Sequence, residues 1–206
     1  MRKRKIWTAV ILLAAFGLWT LAVRYVDVQA IGPRDSAVGF AALNGWFHSL
    51  TGVNMALYTV TDWLGLVPVV FGFGFAVFGL VQWIRRKNIW KVDRSILALG
   101  VFYMAVLGAY LLFEEWVINY RPVLIEGYLE ASYPSSTTLL TLCVMPTAEM
   151  LLRHRLQKPW ITVAITAFTV FMVLGRLLSG VHWLTDIVGG VLLSGSLVMA
   201  YGAVIE

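Results

Sequence analysis

The chain has one cysteine, Cys143, set inside an apolar run, and this excludes a disulfide framework. It has little charge: 13% of its 206 residues are Asp, Glu, Lys or Arg, where a soluble domain carries about 25%. It also lacks internal repeats and low-complexity tracts. What it has in excess is apolar surface, with 60% hydrophobic residues, and the natural home of that surface is lipid. The net charge of +5 does not indicate nucleic acid, because the basic residues sit in short runs that flank apolar segments, the pattern of membrane topology.

Six segments reach the roughly 20 residues needed to cross a hydrocarbon core: 6–23, 64–84, 95–113, 137–152, 159–175 and 185–204. The fourth is the least apolar, since it holds Pro146 and Glu149. Twelve of the 16 Lys and Arg residues fall in RKRK before the first span, IRRKNIWKVDR after the second and RHRLQK after the fourth. The positive-inside rule then places both termini in the cytoplasm, as an even number of spans requires. The expectation is an all-α, polytopic bundle of six transmembrane helices, forming one membrane-embedded domain over 1–206. The first span also has the look of a signal peptide, with Val28-Gln29-Ala30 as a cleavage site. A retained anchor is the preferred reading, because its apolar run is long and its removal would leave an odd span count.

The longest outer loop, 24–63, contains Phe40, Leu43, Trp46, Phe47 and Leu50 at three- and four-residue spacings. This predicts a short helix lying in the interface, with His48 incidental to it. The small residues of FGFGFAVFG (71–79) and GGVLLSG (189–195) read as packing surfaces.

On this topology three polar stretches converge on the outer face: EEWVINYRP (114–122), YPSSTT (133–138) and GRLLSGVHWLTD (175–186). Ionisable groups at such positions are functional candidates. His182 and Asp186 are four apart and share a face if helical. A carboxylate accepting from one imidazole nitrogen leaves the other nitrogen available as a nucleophile or base. Arg121 and Arg176 offer planar forks suited to phosphate or carboxylate oxygens. Ser135, Ser136 and Thr137 stand where a helix begins, and the amides there bind anions. Each feature alone has an ordinary reading, as a structural hydrogen bond, an interfacial anchor or an N-cap. Together they describe a pocket for a phosphoryl group attacked by imidazole.

These residues resemble the integral-membrane type 2 phosphatidic-acid phosphatases, in a superfamily shared with soluble acid phosphatases and vanadium haloperoxidases. The family's signatures are Lys-x6-Arg-Pro, Pro-Ser-Gly-His and Ser-Arg-x5-His-x3-Asp. The third is present as Gly175-Arg176, His182 and Asp186; the second as Pro134-Ser135-Ser136-Thr137; and the first keeps Arg121-Pro122. The resemblance implies a metal-independent hydrolase, without cofactor, that acts on a lipid phosphate or diphosphate at the outer membrane face. In it His182 would form a phosphohistidine and Asp186 would orient it. Arg121, Ser135, Arg176 and the amides near Ser136 would hold the phosphoryl oxygens. Bacterial envelope lipids such as polyprenyl phosphates fit an outer-face pocket in a bacterial plasma membrane, as do phosphatidic-acid-type glycerolipids.

This chain departs from the family in ways that bear on chemistry. The family Lys falls at Glu114, the acid His of the second motif at Thr137, and the Ser before the second Arg at Gly175. Loss of a general acid costs about 10²- to 10⁴-fold for a poor leaving group. A diphosphate, whose leaving group is a phosphate, would tolerate that loss. Alternatively Glu114 or Glu115, if buried, would donate the proton. The other reading is a lipid-phosphate binder or carrier of the same fold with impaired catalysis.

Overall fold

The computed structural model describes residues 1–156 and 158–206, and of residues 154–156 only the backbone. The RHRLQK linker, one of the three basic runs, therefore lies in part outside the described residues. Among the described residues there are eight α-helices: α1 Arg2–Tyr25, α2 Ala41–Thr51, α3 Met55–Leu64, α4 Leu66–Arg86, α5 Arg94–Glu115, α6 Ser136–Leu156, α7 Pro159–Leu178 and α8 Leu184–Ile205.

Among the described residues, five helical stretches are long and apolar enough to cross a membrane: α1, α3–α4 taken together, α5, α7 and α8. The expected fourth span corresponds to α6, whose 21 residues extend about 31 Å but are too polar to meet the same measure. Its position explains the difference. α6 packs against α8, α7, α4 and α5, and it buries Leu139, Cys143 and Leu151 together with Thr138, Thr141 and Thr147. A helix enclosed by other helices does not need a lipid-compatible surface, so its sequence reads as the weakest span. Lipid-sized apolar side chains point outward instead on α1, α4 and α5, for example Trp7, Phe73 and Leu111.

α8 is the other central element. α1 runs along it, held by Trp19 Nε1 donating to the Thr185 carbonyl at 3.1 Å and Ser196 Oγ donating to the Ala9 carbonyl at 2.9 Å. The first helix is thus built into the bundle along its length. The predicted 40–50 helix is present as α2, with Leu43, Trp46 and Leu50 exposed. The expected outer loop ends earlier than residue 63, because α3 begins at Met55 and leads into α4 through Gly65.

The C-terminal ends of α1, α5 and α7 meet the N-terminal ends of α6 and α8 at one end of the bundle. The linker 116–135 crosses this end, folded on itself by single antiparallel bridges at Tyr120–Ala131 and Ile125–Tyr128. Its return leg is anchored by Tyr133, whose hydroxyl lies 2.7 Å from Thr20 Oγ1 and whose ring stacks on Phe16.

Truncating a core residue of α6 is therefore expected to cost far more than truncating a lipid-facing one. Leu139→Ala, at a site 1% exposed, is expected to lose about 2–5 kcal/mol and to lower the thermal midpoint in detergent. Leu111→Ala, at a site 53% exposed, is expected to leave that midpoint nearly unchanged.

Candidate active site

α7 ends at Leu178 and α8 starts at Leu184, so His182 stands in the short connection just before the α8 N-cap, Trp183. Asp186 is in the first turn of α8, where it accepts from the Trp183 amide at 2.9 Å; a carboxylate here also meets the positive end of the helix dipole. A direct hydrogen bond between the pair is absent. Asp186 Oδ2 lies 3.9 Å from His182 Nδ1, beyond hydrogen-bond range. Because His182 precedes the helix, the i, i+4 relation does not bring the two groups into register.

Ser132, on the return leg of the linker, fills the gap. Its Oγ donates to Asp186 Oδ2 at 2.5 Å and lies 2.9 Å from His182 Nδ1. A hydroxyl has a single proton, and here it goes to the carboxylate. Toward the imidazole Ser132 must then accept, which fixes the proton on Nδ1 and leaves Nε2 with its lone pair. Nε2 is buried and has no hydrogen-bond partner among the described residues. Burial first, then the charges of Arg121 and Arg176, hold the His182 imidazole well below its ordinary value of 6.5, so it is neutral at physiological pH.

Asp186 is supported from a second side. Asn119 Nδ2 donates to its Oδ1 at 3.1 Å, and Asn119 Oδ1 in turn accepts from the Gly39 amide at 3.2 Å. Asn44 of α2 closes the shell around Thr185, donating to its Oγ1 at 2.9 Å. Sequence reasoning passed over Ser132, Asn119 and Asn44, although Asn119 lies within the polar stretch 114–122.

Arg121, 9% exposed, is held by its backbone amide on the Glu130 carbonyl and by an ion pair of 3.0 Å from Nε to Glu130 Oε2. Its Nη1 is buried without a hydrogen-bond partner among the described residues. Arg176, 1% exposed, donates through Nη2 to Asp62 Oδ1 at 2.8 Å and to Thr137 Oγ1 at 2.6 Å. Its guanidinium carbon lies 4.9 Å from the centre of the Tyr58 ring. Asp62 and Tyr58 belong to α3, within the stretch 24–63 expected to be an outer loop. Gly175 permits this approach: a Cβ there would stand 2.6 Å from Thr61 Cγ2.

Ser135 is fully buried. Its amide donates to the Asp186 carbonyl at 3.1 Å, while its hydroxyl is without a partner among the described residues. Ser136 opens α6 and lines a small cleft with Ser132, Tyr110 and Glu114; the first-turn amides of that helix have no intrahelical acceptor. Glu114 and Glu115 are both exposed at the end of α5. The burial on which a proton-donor role was expected to depend is not present. α5 stops at Glu115, so Arg121 lies in the linker beyond it. His48 packs against Trp183, with ring centres 5.5 Å apart.

Unpartnered donors of Arg121, Arg176 and Ser135 and one imidazole lone pair are thus buried at the same end of the bundle, the composition expected of a site for a tetrahedral oxyanion. A model of the PAP2 superfamily matches residues 69–205. The chain belongs to the PAP2 superfamily. The matched part contains Arg121, Ser135, Arg176, His182 and Asp186, whereas Tyr58 and Asp62 precede it. Among solved structures the chain is similar to that described as the first transmembrane PAP2 type phosphatidylglycerolphosphate phosphatase from Bacillus subtilis. The TM-score is 0.56 at 20% identity, covering 96% of this chain and 94% of the other. At this identity the likeness is one of fold. No curated protein matches. Apolar helices of spanning length and a fold shared with a membrane PAP2 protein make this an integral membrane protein.

If Gly175 serves the approach of α3, adding one methyl there is expected to cost about 1–3 kcal/mol by overpacking. Gly175→Ala should lower the thermal midpoint, and Thr61→Ser in the same chain, which removes the opposing methyl, should restore most of it. A double variant no better than Gly175→Ala would locate the cost elsewhere.

Proposed function

We propose that this protein is a membrane lipid phosphatase that hydrolyses a lipid phosphate or diphosphate through a phosphohistidine on His182. The observation that carries this reading is the Ser132 bridge, which leaves a neutral imidazole with a buried, unpartnered Nε2 lone pair within electrostatic reach of Arg121 and Arg176. Nε2 attacks phosphorus, the bond from phosphorus to the leaving oxygen breaks, and the imidazole becomes cationic. Asp186 stabilises that charge through the Ser132 hydroxyl. Arg121, Ser135, Arg176 and the amides near Ser136 and Thr137 hold the equatorial oxygens. The reading requires no metal or cofactor, since the arginines supply the positive charge.

The same reading treats 1–206 as one domain in a bacterial plasma membrane, with α6 as the sixth crossing and both termini cytoplasmic. The site then faces outward, on the side opposite the basic runs. That face suits lipid-linked phosphates of the envelope. A second reading, a lipid-phosphate binder, draws on Thr137 standing where the family has its acid histidine.

A detergent-solubilised sample given lipid mono- and diphosphates is expected to release phosphate, and His182→Ala is expected to abolish release. Equal release by that variant would remove His182 as nucleophile; binding without turnover in the wild type would favour the second reading. Ser132→Ala removes a hydrogen bond to a charged group, about 1.5–3 kcal/mol, and should slow turnover roughly 10- to 100-fold.

The pH dependence has a definite sign. The reactive imidazole is the neutral form, and it persists on acidification because its charged form is disfavoured by burial and by two cations. The rate of phosphohistidine formation is expected to stay level as pH falls through 6.5, with its acid limb lying lower.

A further inference from the structure

A phosphohistidine has to be hydrolysed, and the water that does so needs a proton acceptor. The family resemblance assigns acid–base work to an imidazole at the position occupied here by Thr137, and a threonine hydroxyl cannot replace it. The structure brings another group to that place. Arg176 Nη2 donates at once to Thr137 Oγ1, 2.6 Å, and to Asp62 Oδ1, 2.8 Å. The Asp62 carboxylate and the Thr137 side chain therefore stand beside the same nitrogen.

The remaining acids near the site are less suited. Asp186 is fully buried, and its two oxygens are taken up by Ser132, Asn119 and the Trp183 amide. Glu130 pairs with Arg121 and not with the Arg176 nitrogen that also holds Thr137. Glu114 lines the cleft on the Ser132 and Ser136 side. Asp62 joins the buried Arg176 guanidinium to solvent: the Arg176 side chain is 2% exposed and that of Asp62 is 56% exposed. One oxygen is held in place while the rest of the carboxylate meets water. The segment that carries it is fixed to the α7–α8 connection. The Asn54 amide donates to the Ser179 carbonyl at 2.9 Å, and Gly180, at φ +67°, leaves room for the Gly52 carbonyl, which a Cβ would strike at 1.8 Å.

We infer that Asp62 is the general base of the dephosphorylation step, a role that rests on the phosphohistidine reading above. Its carboxylate takes a proton from a water molecule as that water's oxygen bonds to phosphorus. The bond from phosphorus to His182 Nε2 breaks, and its electron pair returns to the imidazole. Inorganic phosphate departs, and Asp62 passes the proton to solvent through its exposed edge.

With Thr137 at the position of the family's acid imidazole, the first step has no imidazole there to protonate a departing alkoxide. The site therefore favours a lipid diphosphate. Attack on the terminal phosphorus releases a lipid monophosphate, an anion that leaves without protonation.

The test follows both steps separately, using a polyprenyl diphosphate labelled at the terminal phosphate and alkaline quenching to preserve phosphohistidine. Wild-type protein, Asp62→Asn and Asp62→Glu are compared in detergent. Asp62→Asn is expected to form phosphohistidine within about twofold of the wild-type rate, and to hydrolyse it about 10²- to 10⁴-fold more slowly, the usual worth of general acid–base catalysis. The labelled protein should accumulate, and Asp62→Glu should recover most of the hydrolysis rate. Unchanged hydrolysis in Asp62→Asn overturns the proposal, as does an equal fall in formation and hydrolysis, which marks a structural role through Arg176. Loss of formation in both variants counts against it in the same way. A wild-type protein that forms no phosphohistidine overturns the hydrolase reading itself, and the role of Asp62 with it.

Discussion

The site depends on a hydroxyl placed between two groups that do not reach each other. His182 lies outside α8 and Asp186 inside it, 3.9 Å apart at their nearest polar atoms. Ser132 connects them. The linker 116–135 must therefore fold back before the imidazole acquires a defined tautomer. The anchors of that linker follow from this need: Tyr133 on Thr20 and Phe16, Asn119 between Gly39 and Asp186, and the Ser135 amide on the Asp186 carbonyl. α1, α8 and the turn that leads into α2 all contribute to holding one serine.

A second constraint is charge. Two guanidiniums are buried at one end of an apolar bundle, where an unpaired ion is costly. Each has an acidic partner, Glu130 for Arg121 and Asp62 for Arg176. These partners leave donor atoms uncommitted, among them Arg121 Nη1 and Arg176 Nε. A phosphoryl group would complete the hydrogen bonding of the arginines without first stripping them of their partners. Gly175 and α3 form one unit in this respect, because a larger residue at 175 would keep Thr61, and with it Asp62, away from Arg176.

Much of this was legible in the sequence. Arg176, His182 and Asp186 stand out because charge in an apolar chain is expensive and because their spacing is local. Arg121 gains its meaning from Pro122 and from its place between two spans. Ser132 and Asn119 were not legible: a single hydroxyl and a single amide carry no pattern, and their roles arise only when a loop folds back. Asp62 left a faint signal, as the sole acid between Asp35 and Asp93, but the expected boundary at residue 64 put it in a loop. The six-span reading met its difficulty at α6 for a related reason, since a helix shielded by its neighbours is free to carry threonines, Pro146 and Glu149.

Ser132 fixes the His182 proton on Nδ1 and leaves Nε2 as a lone pair. ¹⁵N NMR of the histidine-labelled protein at neutral pH reads this tautomer, with the His182 signals assigned by their loss in His182→Asn. The expected spectrum is that of a neutral ring with a protonated Nδ1 and an unprotonated Nε2. A proton on Nε2, or an imidazolium, would contradict it.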